Sequence, residues 1–162
     1  MGYTTDFSGS FKFKKAPSEE QINFINAFSN SRRMGRDVQK LKDKWNGEYG
    51  LDGNYGTEGE YFILDMNSND PSILDYNRPP STQPGLWCQW IIEEQEDSKF
   101  ELVWDGGEKF YEYEAWLQYM LDHFFNPWGL VLNGKVKWQG EEMDDRGLIT
   151  VKNNVMTVKN LK

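Results

Sequence analysis

Residues 108–125, EKFYEYEAWLQYMLDHFF, decide how this chain is read. At about 100° per residue, Phe110, Tyr113, Trp116, Leu117, Met120, Leu121, Phe124 and Phe125 share one half of a helical cylinder. Glu112, Gln118, Asp122 and His123 take the other half. The spacing predicts one long amphipathic helix. Asp105-Gly106-Gly107 precedes it, and Glu108 stands in its first turn, where the helix dipole favours negative charge. Pro127, with no amide hydrogen to donate, closes it. A helix with so much apolar surface must be covered, and the flanking sequence supplies strands to cover it.

Downstream, residues 130–132 and 135–138 flank Asn133-Gly134, and residues 148–152 and 155–159 flank Asn153-Asn154. Both patterns predict antiparallel hairpins. Upstream, the apolar run 86–94 and the alternating run 100–104 are joined by the acidic link 95–99, which predicts a third hairpin. Residues 11–15 alternate Phe and Lys, a short strand with one wet face. Pro17-Ser18 then opens a second helix over 18–30. Ser18 caps it, Gln21 reaches back, and Ile22, Ile25 and Phe28 follow on one side. In chain order, 11–15, 18–30, 87–94, 100–104, 108–125 and 130–138 spell strand, helix, strand, strand, helix, strand. The expectation is an α+β fold, a mainly antiparallel sheet with two helices on one face in a split βαβ, ferredoxin-like layout. It carries an inserted loop region over about residues 31–86 and a C-terminal β-hairpin, all within a single domain, 1–162.

Seven Trp, eight Tyr and ten Phe offset a mean hydropathy of −0.79, because each aromatic ring buries about 150–250 Å². No run approaches the roughly 18 apolar residues of a membrane span, and MGYTTDFSGS lacks the regions of a signal peptide, so a cytoplasmic setting is expected. Cys88 and His123 are single, which excludes an internal disulfide and argues against a zinc cluster. Glycine recurs at every third residue from 47 to 59, read as a loop, and residues 60–64 are read as a strand. Asp65 to Asp70 resembles the start of a calcium loop, but Asp70 replaces its glycine and Tyr76 its glutamate, so an ordinary Asn/Asp turn is expected. No metal or cofactor is assigned.

The net charge of −8 is uneven: residues 11–44 hold nine Lys and Arg against four Asp and Glu. The acidic remainder argues against direct nucleic-acid binding, which draws its affinity from Lys and Arg. Within the basic segment, Arg32, Arg33 and Arg36 read either as a solvated helix end or as a site for an anionic small molecule. Tyr76 or Trp87 would stack a base there. Glu93, Glu94, Glu96 and Asp97 offer an acidic surface to a basic protein partner. Catalysis finds little footing. His123 falls on the solvent half of its helix and Cys88 in an apolar strand. Glu114 lies inside the apolar arc, and Glu141, Glu142, Asp144 and Asp145 crowd one turn. A small hydrolase or transferase using Glu114 or Glu141 with Asp144 is the alternative to a non-enzymatic binding protein, and no catalytic residue is assigned.

GYTTDF (2–7), Arg32-Arg33-Met34, Asp75-Tyr76-Asn77, QPGLWCQW (83–90), WDGGEKFY (104–111), Pro127-Trp128-Gly129 and WQGE (138–141) together resemble a family of small proteins of bacteria and their phages. That family has no settled activity. The resemblance spans nearly the whole chain and implies a compact domain in a prokaryotic or phage-infected cytosol. Its phage side suggests counter-defence, and it carries over no catalytic residue.

Overall fold

The alternation of residues 5–13 continues further back than the Phe-Lys repeat, and it produces the central strand of the molecule. The computed structural model describes residues 2–45, 54–63 and 69–161. β1 (Thr5–Phe13) is followed by α1 (Glu19–Ser29), β2 (Gly35–Arg36), α2 (Val38–Trp45) and β3 (Ile73–Asp75). Then come β4 (Trp90–Glu94), β5 (Phe100–Trp104), α3 (Tyr113–Met120), β6 (Leu132–Gly140), β7 (Arg146–Lys152) and β8 (Val155–Asn160). Six strands form one sheet in the order β4-β5-β1-β6-β7-β8, with every neighbouring pair antiparallel. The first four follow the split βαβ order, and β7–β8 is the added hairpin, so the α+β expectation holds.

The chain, expected as one domain over 1–162, forms two compact units: residues 1–22 with 89–162, and residues 23–88. The second contains the expected insertion. α1 begins in one unit and ends in the other, and its start is the capping box read from Ser18. The Gln21 amide donates to Ser18 Oγ at 3.1 Å, and the Ser18 amide donates to Gln21 Oε1 at 2.9 Å.

In the first unit, one sheet face is covered by the 108–125 segment. Phe7 on β1 sits within 4.9–5.7 Å of the rings of Trp90, Trp104, Phe110 and Tyr113, and Phe13 packs edge-on against Phe125 at 5.3 Å. The apolar arc is buried as expected apart from the half-buried Tyr113, but the helix is shorter. Residues 108–112 are not α-helical, and Lys109 and Glu112 are left-handed with φ of 59° and 57°. The physical reason is that this stretch seats Phe110, 1% exposed, against Trp90. The Gln89 side chain meanwhile donates to the Glu108 carbonyl, and Trp104 Nε1 donates to that of Gly107. At the other end, Leu121–Phe125 widens into a π turn that buries Phe124 and Phe125 together.

Two other expectations are corrected. Asn133-Gly134 is no hairpin turn, because β6 runs straight through it, opposite Lys12 and Phe11. Gly134, with φ of 154°, is there because β1 passes close by, and a Cβ would run into the Ser10 carbonyl oxygen. The hairpin at Asn153-Asn154 does form, with φ of 49° and 66° joining β7 to β8. Residues 60–63 of the expected 60–64 strand are turn and irregular chain, since the Glu60 carbonyl is held by side chains described below. The glycine-spaced stretch up to residue 53 and residues 64–68 lie outside the described residues.

Gly147 on β7 faces Trp138 across the ladder, where a Cβ would collide with the indole ring. Gly147→Val is therefore expected to destabilise the protein by about 2–3 kcal/mol, read as a drop in the urea midpoint with little change in slope.

In the second unit, Leu41 and Trp45 of α2 pack with Tyr55 and Phe62, and Val38 covers them. β2 and β3 make a two-stranded ribbon that sets residues 32–36 beside residues 73–78.

Candidate functional site

The ribbon carries the arginines of the basic segment, and their fates differ. Arg33 is 3% exposed; Nη2 donates to the Glu60 carbonyl at 2.6 Å, Nε reaches Gln83 Oε1 at 3.4 Å, and the guanidinium lies 4.0 Å above the Phe28 ring. Arg36 is buried as well. Its Nη1 donates to Ser72 Oγ at 2.9 Å and stands 3.8 Å from Asp70 Oδ2, and the guanidinium lies 4.9 Å from the Phe62 ring centre. Burial lowers its pKa, and the Asp70 carboxylate opposes that shift. These two arginines brace the interior of the second unit. They do not join Arg32 in a three-arginine anion site.

Arg32 stays half-buried at the surface. Its Nε donates to the Tyr76 carbonyl at 2.9 Å, its Nη2 reaches Asn77 Oδ1 at 3.3 Å, and the guanidinium stacks 4.1 Å over the Tyr76 ring. Nη1 meets no hydrogen-bond acceptor among the described residues. Arg32 and Tyr76 are thus in direct contact. Trp87, the other stacking residue expected, is half-buried, and neither it nor Arg32 and Tyr76 is among the residues that line the groove described next.

That groove, of about 410 Å³, opens beside the ribbon and is lined by Gly35, Arg36, Leu74, Asp75, Arg78, Pro79 and Pro80, with Glu58, Ser81 and Gln83 completing the wall. Local chemistry shapes it. Asp75 Oδ1 accepts the Asn77 amide at 2.9 Å, an Asx turn that swings Tyr76 outward, and the Gly35 amide donates to the Arg78 carbonyl at 2.9 Å. Glu58, left-handed at φ 59°, takes both the amide and the hydroxyl of Ser81 on Oε2. Arg78 projects into solvent with its Nε 3.9 Å from Asp75 Oδ2. Arg78, Leu74 and Glu58 were not singled out in the sequence; Arg78 sits in the same proline-punctuated segment as Tyr76, which was the available signal.

The acidic residues expected to meet a protein partner lie in the first unit. Glu93 and Glu94 end the edge strand β4, Glu96 and Asp97 form the turn after it, and all four are exposed. Glu93 stands directly opposite Glu101 of β5, a like-charge cross-strand pair.

The remaining carboxylates disperse. Glu141 Oε1 accepts the Thr4 amide at 2.8 Å, and Asp145 accepts the Tyr3 hydroxyl at 2.7 Å and Trp138 Nε1 at 3.1 Å. The Asp145 hydrogen bond raises the Tyr3 pKa, and burial raises that of Tyr113. These groups fasten the start of β1 to the β6–β7 turn, a pairing 142 residues apart that no local spacing announces. Glu114 lines a hollow of about 310 Å³ with Glu112, Tyr113 and Ala115, and neither Glu141 nor Asp144 is part of that lining. The pairing needed for a carboxylate hydrolase is therefore not assembled there.

Burial, with Glu112 adding to it, raises the Glu114 pKa above its ordinary 4.5. A raised carboxylate pKa means the folded state binds the proton more tightly, so stability from Glu114 is lost as pH rises through the unfolded value and the shifted one. Glu114→Gln is expected to raise Tm at pH 7 and to leave it unchanged near pH 3, where both forms are neutral. A calorimetric pH series checks this. Comparison with family models, with curated proteins and with solved structures finds no match to this chain.

Proposed function

We propose that the protein is a non-enzymatic binding protein that sequesters an anionic, nucleotide-like ligand on the Arg32–Tyr76 side of its second unit. The observation that carries this reading is Arg32. One edge is fixed by Tyr76 and Asn77, its Nη1 has no acceptor among the described residues, and a groove of ligand size lies along the same ribbon. A guanidinium whose orientation is already set loses little freedom on meeting phosphate. Arg78 supplies an exposed cation at the groove. The phage side of the family resemblance suggests counter-defence as the setting.

Isothermal titration with inorganic pyrophosphate and with adenosine di- and triphosphate tests the proposal. Arg32→Glu is expected to weaken binding by about 10–100-fold, the equivalent of about 1.5–3 kcal/mol for a charge-assisted hydrogen bond. Equal binding by the variant, or no heat from wild type, overturns it. A second reading draws on Glu93 and Glu101. An opposed carboxylate pair at a sheet edge is unfavourable in isolation and is relieved by a basic protein partner. On that reading Glu93→Gln with Glu94→Gln stabilises the free protein slightly and abolishes capture of the partner.

A further inference from the structure

The two faces of the six-stranded sheet differ sharply. On β6 the side chains of Leu132, Val136 and Trp138 are buried against the core, whereas Lys135 and Lys137, alternating with them, are exposed on the opposite face. The register carries that outer face across the neighbouring strands. One row runs Ser8, Lys137, Leu148, Lys159, and the next runs Ser10, Lys135, Thr150, Thr157. Arg146, opposite Gln139, and Lys152, opposite Val155, flank these rows. Five cations thus share one face of β6, β7 and β8, and all five side chains are exposed. Among the described residues none is in an ion pair; the two ion pairs present involve Arg36 and Arg78 of the other unit.

We propose that this face binds the phosphodiester backbone of nucleic acid. Lys135 and Lys137 lie about 7 Å apart along the strand, and Lys137 and Lys159, two strands apart, about 10 Å across. Leu148 stands between Lys137 and Lys159, and the hydroxyls of Ser8, Ser10, Thr150 and Thr157 occupy other positions of the two rows. A hollow of about 300 Å³ on this face has Lys137 and Arg146 in its lining, with Ser8, Gln139 and the Asp6 carboxylate, and seats a phosphate between the two cations. This face carries three large apolar side chains, Leu148, Val155 and Leu161, too few for the apolar centre that a protein interface buries, whereas nucleic-acid interfaces are polar and positively charged. No aromatic side chain stands in these rows, so contact is with the backbone and independent of sequence. The net charge of −8 does not forbid this, because at 0.1 M salt charges more than about 10 Å away are screened. The proposal goes beyond the Arg32 site and does not depend on it.

Fluorescence anisotropy with a labelled 20-nucleotide strand and with its duplex tests this on the full chain. Five cations meeting phosphates give a slope of log K against log salt of about −4.5 for duplex and about −3.5 for single strand, so affinity for duplex falls about 500-fold between 50 and 200 mM salt. Which of the two binds tighter identifies the source of the phosphates. The variant Lys135→Glu, Lys137→Glu, Lys159→Glu is expected to lose binding at 50 mM salt. The same positions changed to Gln should retain weak binding with the slope reduced by about 3. Lys40→Glu, Lys42→Glu on α2 should bind like wild type. Any of three results overturns the proposal: no binding by wild type at 50 mM salt, equal loss in the α2 variant, or equal competition by polyglutamate, which would mark the face as a site for acidic proteins. Circular dichroism confirms that the variants fold. If the glutamate variant does not, the glutamine variant decides.

Discussion

Trp90→Ala will lower the free energy of unfolding by about 3–5 kcal/mol, out of the 5–15 kcal/mol common for domains of this kind. The indole is fully buried and stands 5.3–5.8 Å from the rings of Phe7, Phe11 and Phe110. Removing it forfeits both the transfer of that surface from water and the contacts around the cavity left behind. It also takes the donor from the Tyr113 carbonyl, which Trp90 Nε1 holds at 3.0 Å just where α3 begins. Trp90→Phe keeps most of the packing but loses that hydrogen bond, and is expected to cost about 1–3 kcal/mol. Urea unfolding followed by circular dichroism separates the two. A loss below 1 kcal/mol for the alanine variant would show that this aromatic cluster is not the foundation of the first unit.

In the second unit the largest expected effect comes from Arg36→Met. Asp70 is almost completely buried, and its Oδ2 has no hydrogen-bond donor among the described residues; Arg36 at 3.8 Å is the charge that balances it. Ser72 ties the two together, giving its hydroxyl proton to Asp70 Oδ1 at 2.7 Å and accepting from Arg36 at 2.9 Å. Methionine keeps the volume and removes the charge, leaving a buried carboxylate uncompensated. The expected loss is about 3–5 kcal/mol. The double variant Arg36→Met, Asp70→Leu removes both charges and should recover at least half of it, because the cost resides in the unpaired charge. If the double variant is no more stable than the single one, the ion pair is not what the second unit relies on.

Some of this architecture was legible because its causes are local. The Ser18–Gln21 box needs only residues three apart, and the apolar arc of residues 110–125 needs only the helical period. The Asn133-Gly134 misreading shows where local chemistry is ambiguous. The same dipeptide suits a tight turn and a strand pressed against its neighbour, and only the presence of β1 decides between them. The arginine segment failed for a related reason. Arg33 and Arg36 find partners at Glu60, Gln83, Asp70 and Ser72, far along the chain, and those partners turn two candidate ligand groups into braces.

By itself the sequence determined which residues alternate, where aromatic surface is concentrated, and hence the α+β class and the strands of the sheet. Only the tertiary structure decided which faces those alternations share. Counted along the chain, positive charge gathers in residues 11–44; folded, Lys135, Lys137, Arg146, Lys152 and Lys159 make a second basic surface from residues 135–159, where five Lys and Arg are nearly matched by four Asp and Glu. The physical reason is that a strand sends alternate side chains to opposite faces. Lys135 and Lys137, neighbours in sequence of the buried Val136 and Trp138, therefore share the opposite face with Arg146 and Lys159 once the sheet is paired.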